Sequence, residues 1–244
     1  MSDARTIAKN TTVLYIAQMI TLALGFFITI YTVRYLSVDS FGILSAALAL
    51  TGIYVVFGDL GLSTLTVREV SRDKSSTKKY VGNTTIMKLF LSIFTFLLTV
   101  LTVYFIGYDD ITVTVILILT VAFIFNAFSS IFYSIFQAYQ KMEFQSIATI
   151  LNSVVMLIGT FLAIYLGLDV VAFALVYLAA NAINFIYILG AYVWKFYLPN
   201  VEMDFKFWKP TIKQSLPLAI TSIFNVLVFR LDSVLLSIMS GMEA

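Results

Sequence analysis

Four ionisable side chains stand inside stretches otherwise free of charge: Asp59, Lys88, Arg230 and Asp232, with Arg34 a fifth at the edge of another. An ionised group near a bilayer centre costs at least ~2.5–3.5 kcal/mol on insertion scales, so each is expected to have a partner or a use. Asp59 lies in Gly58-Asp59-Leu60-Gly61, where glycine on both sides permits an irregular helix or close packing. It reads either as a gate or coupling carboxylate, or as a structural partner for Arg68 or a helix N-terminus. Lys88 could meet an anionic head group or snorkel to the interface. Arg230 and Asp232, two residues apart, point about 200° away from each other on a helix, so each needs a different partner. Asp232 shares its face with Ser222, Asn225 and Phe229, and Arg34 is a candidate mate for it. An Arg in a cavity suits phosphate, because its planar fork offers paired donors and never deprotonates. A structural ion pair accounts for the same residues equally well.

The elements that must position these groups follow from composition. Hydrophobic residues make up 61% of the 244 positions and charged ones 11%, too few to cover a water-facing surface. Absence of Cys and His removes disulfides, thiol catalysis, haem ligation and ordinary zinc sites. No metal or cofactor is expected, and a net charge of +2 does not suggest nucleic acid. Charge-free runs predict membrane helices at Asn10–Val33, Ser40–Gly58, Leu89–Tyr108, Ile111–Gln140, Phe144–Leu168 and Val170–Trp194. Each is near or above the ~20 residues that cross ~30 Å of hydrocarbon. The second is expected to continue through Asp59 toward Val67. A seventh helix runs from Gln214 if Arg230 and Asp232 lie within the membrane. The fold class is thus all-α, a polytopic bundle of about seven spans.

Lysine and arginine set its orientation. Thirteen of fifteen basic residues fall on one side, in the N-terminal arm and in the segments around Arg68–Lys88, Lys141 and Lys195–Lys213. The other side carries Asp39, Asp109, Asp110 and Asp169, so the positive-inside rule puts the N-terminus in the cytoplasm. The first apolar run is expected to be a retained anchor, not a cleaved signal. Residues 197–213, with Phe205, Phe207 and Trp208 among lysines and acids, read as an interfacial cytoplasmic linker.

Most spans also carry polar or small residues in stripes at three- and four-residue steps: Thr11, Tyr15, Gln18, Gly25, Thr29 and Thr32 in the first, and Thr84, Lys88, Ser92, Thr95, Thr99 and Thr102 in the third. The fourth has Asn126, Ser130, Tyr133 and Gln137; the fifth Ser146, Thr149, Asn152 and Thr160; the sixth Tyr177, Asn181 and Asn184. Such stripes pack helices together or line a shared wet cavity.

Several local motifs carry a family resemblance. They are Tyr35-Leu36-Ser37-Val38-Asp39-Ser40-Phe41-Gly42, Asp59-Leu60-Gly61-Leu62-Ser63 running into Arg68-Glu69-Val70-Ser71-Arg72, Phe136-Gln137-Ala138-Tyr139-Gln140-Lys141-Met142, and Arg230-Leu231-Asp232. Through them the chain resembles the Wzx-type polysaccharide or O-antigen flippases of the multidrug/oligosaccharidyl-lipid/polysaccharide exporter superfamily. The resemblance implies a two-lobed bundle working by alternating access in the cytoplasmic membrane. Its cargo would be a polyprenyl-phosphate-linked oligosaccharide, handed on within a glycan assembly machinery. Arg34, Lys88 and Arg230 would be candidate diphosphate contacts, with Asp59, Asn225 and Asp232 in the same cavity. The expected division is a six-helix lobe at 1–194, a linker at 195–213, and the first helix of an incomplete second lobe at 214–244. The missing helices would come from a longer product or from another chain pairing with this one.

Other classes fit less well. A cation-coupled drug exporter of the same superfamily is the nearest alternative, but three cationic candidates against two acidic ones lean toward an anionic cargo. A retinal protein needs a Schiff-base lysine in the last helix, where the basic residue is Arg230, and seven-helix receptors place the N-terminus outside. An enzyme would need convergent catalytic groups on sizeable loops, and His and Cys are absent.

Overall fold

The computed structural model describes residues 2–198 and 202–239, with the side chains of 8–198, 202–221 and 224. The helices are α1 (Ser2–Tyr35), α2 (Val38–Asp59), α3 (Leu62–Arg72), α4 (Thr77–Ile106), α5 (Asp110–Ala138), α6 (Met142–Tyr165), α7 (Val170–Lys195) and α8 (Phe205–Met239), with one 3-10 turn at Lys74–Ser76. Among the described residues there is no strand, and six stretches are long and apolar enough to cross a membrane. The protein is the polytopic helical bundle that its composition demands.

Several helix starts reach well before the charge-free runs, whereas α4, α5 and α6 end slightly inside them, at Ile106, Ala138 and Tyr165. α4 starts at Thr77 instead of Leu89, and α8 starts at Phe205 instead of Gln214, running on through Pro210 and Pro217. A charge-free window finds the part of a helix that sits in hydrocarbon, not the turns that continue into the interface. One boundary corrects the sequence reading more deeply. The second helix does not continue to Val67; it stops at Asp59, because Leu60 (φ 43°) and Gly61 (φ 74°) both adopt the left-handed conformation. A new helix starts at Leu62.

On the acidic side, Ser37, Asp109 and Asp169 cap α2, α5 and α7. They accept from the amides of Ser40, Thr112 and Ala172 at 3.2, 3.2 and 3.3 Å. Carboxylates there satisfy orphan N–H groups and complement the helix dipole.

α5 runs through the middle of the bundle against α7, α2, α4 and α3, whereas α1 leans mainly on α6. One apolar cluster, with Leu44, Val115, Leu119 and Phe173, fills the acidic end. Another, with Val70, Val81, Phe132, Ile135, Phe136 and Tyr192, fills the lysine-rich end. Between them on α4 lie buried Lys88, Ser92, Thr95 and Thr99, a polar level inside the membrane-spanning bundle.

Candidate functional site

That polar level is organised around Lys88. Its side chain is 1% exposed, so snorkelling to the interface is not what it does. Helix α4 aims it across the bundle, where its ammonium lies 2.5 Å from Asp59 Oδ1 and donates to Ser63 Oγ (2.9 Å), Ser130 Oγ (2.5 Å) and the Ala127 carbonyl (3.1 Å). Three elements thus converge on one cation: the α2–α3 break, α4 and α5. Asp59 also accepts from the Ser63 hydroxyl and, at 3.4 Å, from the Ser63 amide, so it bridges the break from the end of α2 to the first turn of α3. The expected partner for Asp59, Arg68, is engaged elsewhere, with Glu69 Oε1 at 2.8 Å and Gln214 Oε1 at 2.9 Å. A buried charge needs this density of partners, because removal from water costs more than a single contact returns.

One turn further along α4, Ser92 and Thr95 present buried hydroxyls without a hydrogen-bond partner. With Thr51, Tyr54, Gly58 and Thr120 they line a cavity of about 20 Å³, the size that holds a single water.

The break also touches α8. A Cβ added to Gly61 would lie 2.6 Å from the Ser215 carbonyl oxygen and 2.8 Å from the Ala219 nitrogen, so glycine is required both by its φ and by the approach of another backbone. The lysine-rich end of α8 is docked by Asn83, whose Oδ1 accepts from the Asp204 amide (2.8 Å) and the Trp208 indole N–H (3.0 Å). Lys79 pairs with Asp204 at 3.0 Å. Asn83→Ala removes the acceptor shared by the Asp204 amide and the half-buried Trp208 indole N–H and is expected to cost about 1–3 kcal/mol. Asn83→Asp keeps the acceptor but loses the donation to the Lys79 carbonyl (3.0 Å) and places a charge at a buried position, so it is expected to recover only part of that stability. Thermal unfolding followed by tryptophan fluorescence measures both. The Lys79 ammonium and the amides of Phe207 and Lys206 hold the Asp204 carboxyl below the usual carboxylate range. A lowered folded-state pKa makes this stabilisation present above the ordinary carboxylate value and lost as pH falls through the lowered one. Docking of α8 is therefore intact at neutral pH and loosens only in acid.

The stripes on α5 and α7 bind each other: Tyr133 donates to Asn184 Oδ1 (2.8 Å) and Asn126 to Asn181 Oδ1 (3.5 Å). They serve packing. The α1 stripe differs: Thr11, Tyr15, Gln18 and Thr29 are exposed, Gly25 is half-buried and Thr32 is buried, and Arg34 is exposed in the last turn of the same helix. Side chains of Asn225, Arg230 and Asp232 lie outside the described residues, and with them the proposed Arg34–Asp232 contact. Sequence reasoning missed Asn83 and Asp204, for which no spacing signal exists, and placed Trp208 only in an interfacial linker. It marked Ser63 and Ser130 only as members of polar faces.

A bundle with six stretches long and apolar enough to cross a membrane, and an interior ion pair at a helix break, defines a multi-pass membrane protein. The chain belongs to the polysaccharide biosynthesis protein family, whose model it matches over residues 7–244. No curated protein matches it. Among solved structures it resembles MATE in complex with MaD3S, with a TM-score of 0.69 and 18% identity over 98% of this chain and 57% of that one. It also resembles a multidrug resistance MATE family transporter of the MOP superfamily in an outward-facing conformation (TM-score 0.64, 18% identity, 90% of this chain and 52% of that one). A third is a MOP superfamily transporter from Pyrococcus furiosus, described as having a binding pocket of reverse polarity (0.64, 19%, 94% and 56%). At these identities the likeness establishes the fold. The chain spans a little over half the length of these proteins.

Proposed function

We propose that the chain supplies the first lobe, and the start of the second, of a transporter that moves a polyprenyl-phosphate-linked oligosaccharide across the cytoplasmic membrane. The observation that carries this reading is membership of the polysaccharide biosynthesis protein family over residues 7–244. The outward-facing polar stripe of α1 supports it. Gln18 gains nothing from hydrocarbon, whereas a hydrated cleft between two lobes would solvate it; Thr29 is already satisfied by the Gly25 carbonyl (2.9 Å). In this reading Arg34, with Arg230, Asp232 and Asn225 from α8, faces the cleft and the cargo phosphate. Asp59 and Lys88 act from within the lobe by holding the α2–α3 break. The remaining helices come from a longer product or a partner chain, and glycan assembly enzymes supply and consume the cargo.

Deleting the gene tests this. Lipid-linked oligosaccharide is expected to accumulate on the inner leaflet while surface glycan falls, and supplying the gene again should restore it. Normal glycan display in the deletion strain would exclude the reading. Accumulated toxic cations with normal glycan would point to drug export instead.

A further inference from the structure

Four lysines from four separate elements gather over one cluster of rings at the lysine-rich end. Lys74 of the 3-10 turn lies 5.1 Å from the Tyr139 centroid, and Lys78 of α4 lies 4.8 Å from that of Tyr197. Lys141 between α5 and α6 is 5.5 Å from Phe196, and Lys195 of α7 is 5.8 Å from Phe144 and 3.8 Å from Trp194. The rings beneath are continuous. Phe196 touches Tyr139 (4.8 Å), Tyr192 (5.2 Å) and Phe136 (5.8 Å); Phe136 stacks on Phe144 (4.6 Å), and Tyr192 meets Tyr197 (5.8 Å).

Among the described residues none of these four lysines forms a salt bridge, whereas Arg68, Arg72, Lys79 and Lys88 all do. Ring faces hold the ammoniums in place electrostatically but leave their charges uncancelled, and Lys74, Lys78 and Lys195 are exposed and Lys141 half-exposed. Beside Lys74 opens a cavity of about 280 Å³ lined by Asn10, Ser71, Gln137 and Gln140, side chains that can serve phosphate oxygens and glycerol hydroxyls. The patch sits at the lysine-rich ends of α4, α5 and α7, the side that the charge rule assigns to the cytoplasm and so to the head-group layer of that leaflet.

We propose that Lys74, Lys78, Lys141 and Lys195 form a docking surface for anionic phospholipid head groups of the cytoplasmic leaflet, separate from the interior Asp59–Lys88 pair. Location selects the occupant: the head-group layer is already there at high local concentration, and its phosphates complement four unpaired cations. Each basic side chain at an anionic surface contributes ~1 kcal/mol, about fivefold in relative affinity.

Trp194, beside Lys195, provides the readout. The chain is reconstituted in phosphatidylcholine vesicles containing rising fractions of brominated phosphatidylglycerol, with Trp194→Phe as the blank and brominated phosphatidylcholine as the comparison. The expected result is preferential quenching by phosphatidylglycerol, weakened about fivefold by each Lys→Gln change and abolished by all four. The four Lys→Arg changes together keep the preference, which separates charge from folding; if the quadruple Gln variant does not fold, the single variants and added salt give the same reading. Equal quenching by the two lipids overturns the proposal, and so does a preference that survives the quadruple Gln change. Salt-sensitive retention of polyglutamate without any lipid preference also overturns it, in favour of an acidic protein partner.

Discussion

Lys88→Met is expected to destabilise the folded lobe by about 3 kcal/mol, the low end for removing one partner from a buried ion pair, because the Asp59 left behind is 31% exposed. At the 2–4 °C per kcal/mol expected for a chain of this length, thermal unfolding in detergent shifts down by roughly 6–12 °C. The cause is what remains. Asp59 keeps Ser63, but it loses the ammonium 2.5 Å away that balances its charge, and Ser130 loses a donor. Asp59→Asn with Lys88 intact strands the cation instead, at a site 1% exposed, and is expected to be at least as damaging. Both changes together, Asp59→Asn with Lys88→Met, remove the charges in concert and should return stability to within about 1 kcal/mol of the unsubstituted chain, since a buried pair is often no better than an apolar replacement. That double variant then asks the functional question cleanly. If it folds but fails to restore surface glycan, the pair is needed for movement and not merely for folding. An unchanged melting temperature in Lys88→Met alone would show that the ammonium is not confined by this network.

Gly61→Ala is expected to separate α8 from the first lobe. The added methyl would sit 2.6 Å from Ser215 O and 2.8 Å from Ala219 N, both backbone atoms of α8 that no rotamer change can move. Left-handed backbone at a residue with a Cβ adds about 1–2 kcal/mol, and overpacking typically costs about 1–3 kcal/mol more. The chain contains no Cys, so cross-linking reports the contact directly. Arg68→Cys with Gln214→Cys, placed where the native side chains meet at 2.9 Å, should be joined by a short bifunctional reagent in the otherwise unsubstituted chain and no longer joined after Gly61→Ala. Gly159→Ala supplies the contrast. Its methyl also meets atoms at 2.6 Å, but these belong to the Val176 side chain, which can turn aside, so a smaller loss is expected. Equal cross-linking with and without Gly61→Ala would mean that α8 does not lie against the break.

The close approach at Gly61 was only half legible. Glycines flanking Asp59 signalled an irregular helix, but Leu60 in left-handed backbone carries no such signal, and continuation of the helix to Val67 was the simpler expectation. Polar spacing on α4 identified the buried face correctly, from Thr84 through Thr99. The same spacing on α1 marks a face that is exposed from Thr11 to Gln18 and at Thr29 but buried at Thr32. Periodicity says which side chains share a face and is silent about what that face meets. Lys88 makes the point most sharply: one to two turns inside a span, a lysine can reach back to water or forward to a carboxylate, and only the position of Asp59 decides between them.

The linear chain determined the solvent, the number and approximate extent of the rods, and which end of each rod is basic, because hydrocarbon tests every residue of a span by its own transfer free energy. Tertiary structure alone decided that Asp59 answers Lys88 instead of Arg68, that Asn83 receives α8, and that four scattered lysines share one ring cluster. Those pairings join residues between roughly 25 and 125 positions apart in sequence, and they follow from how helices pack, which no local pattern of polarity encodes.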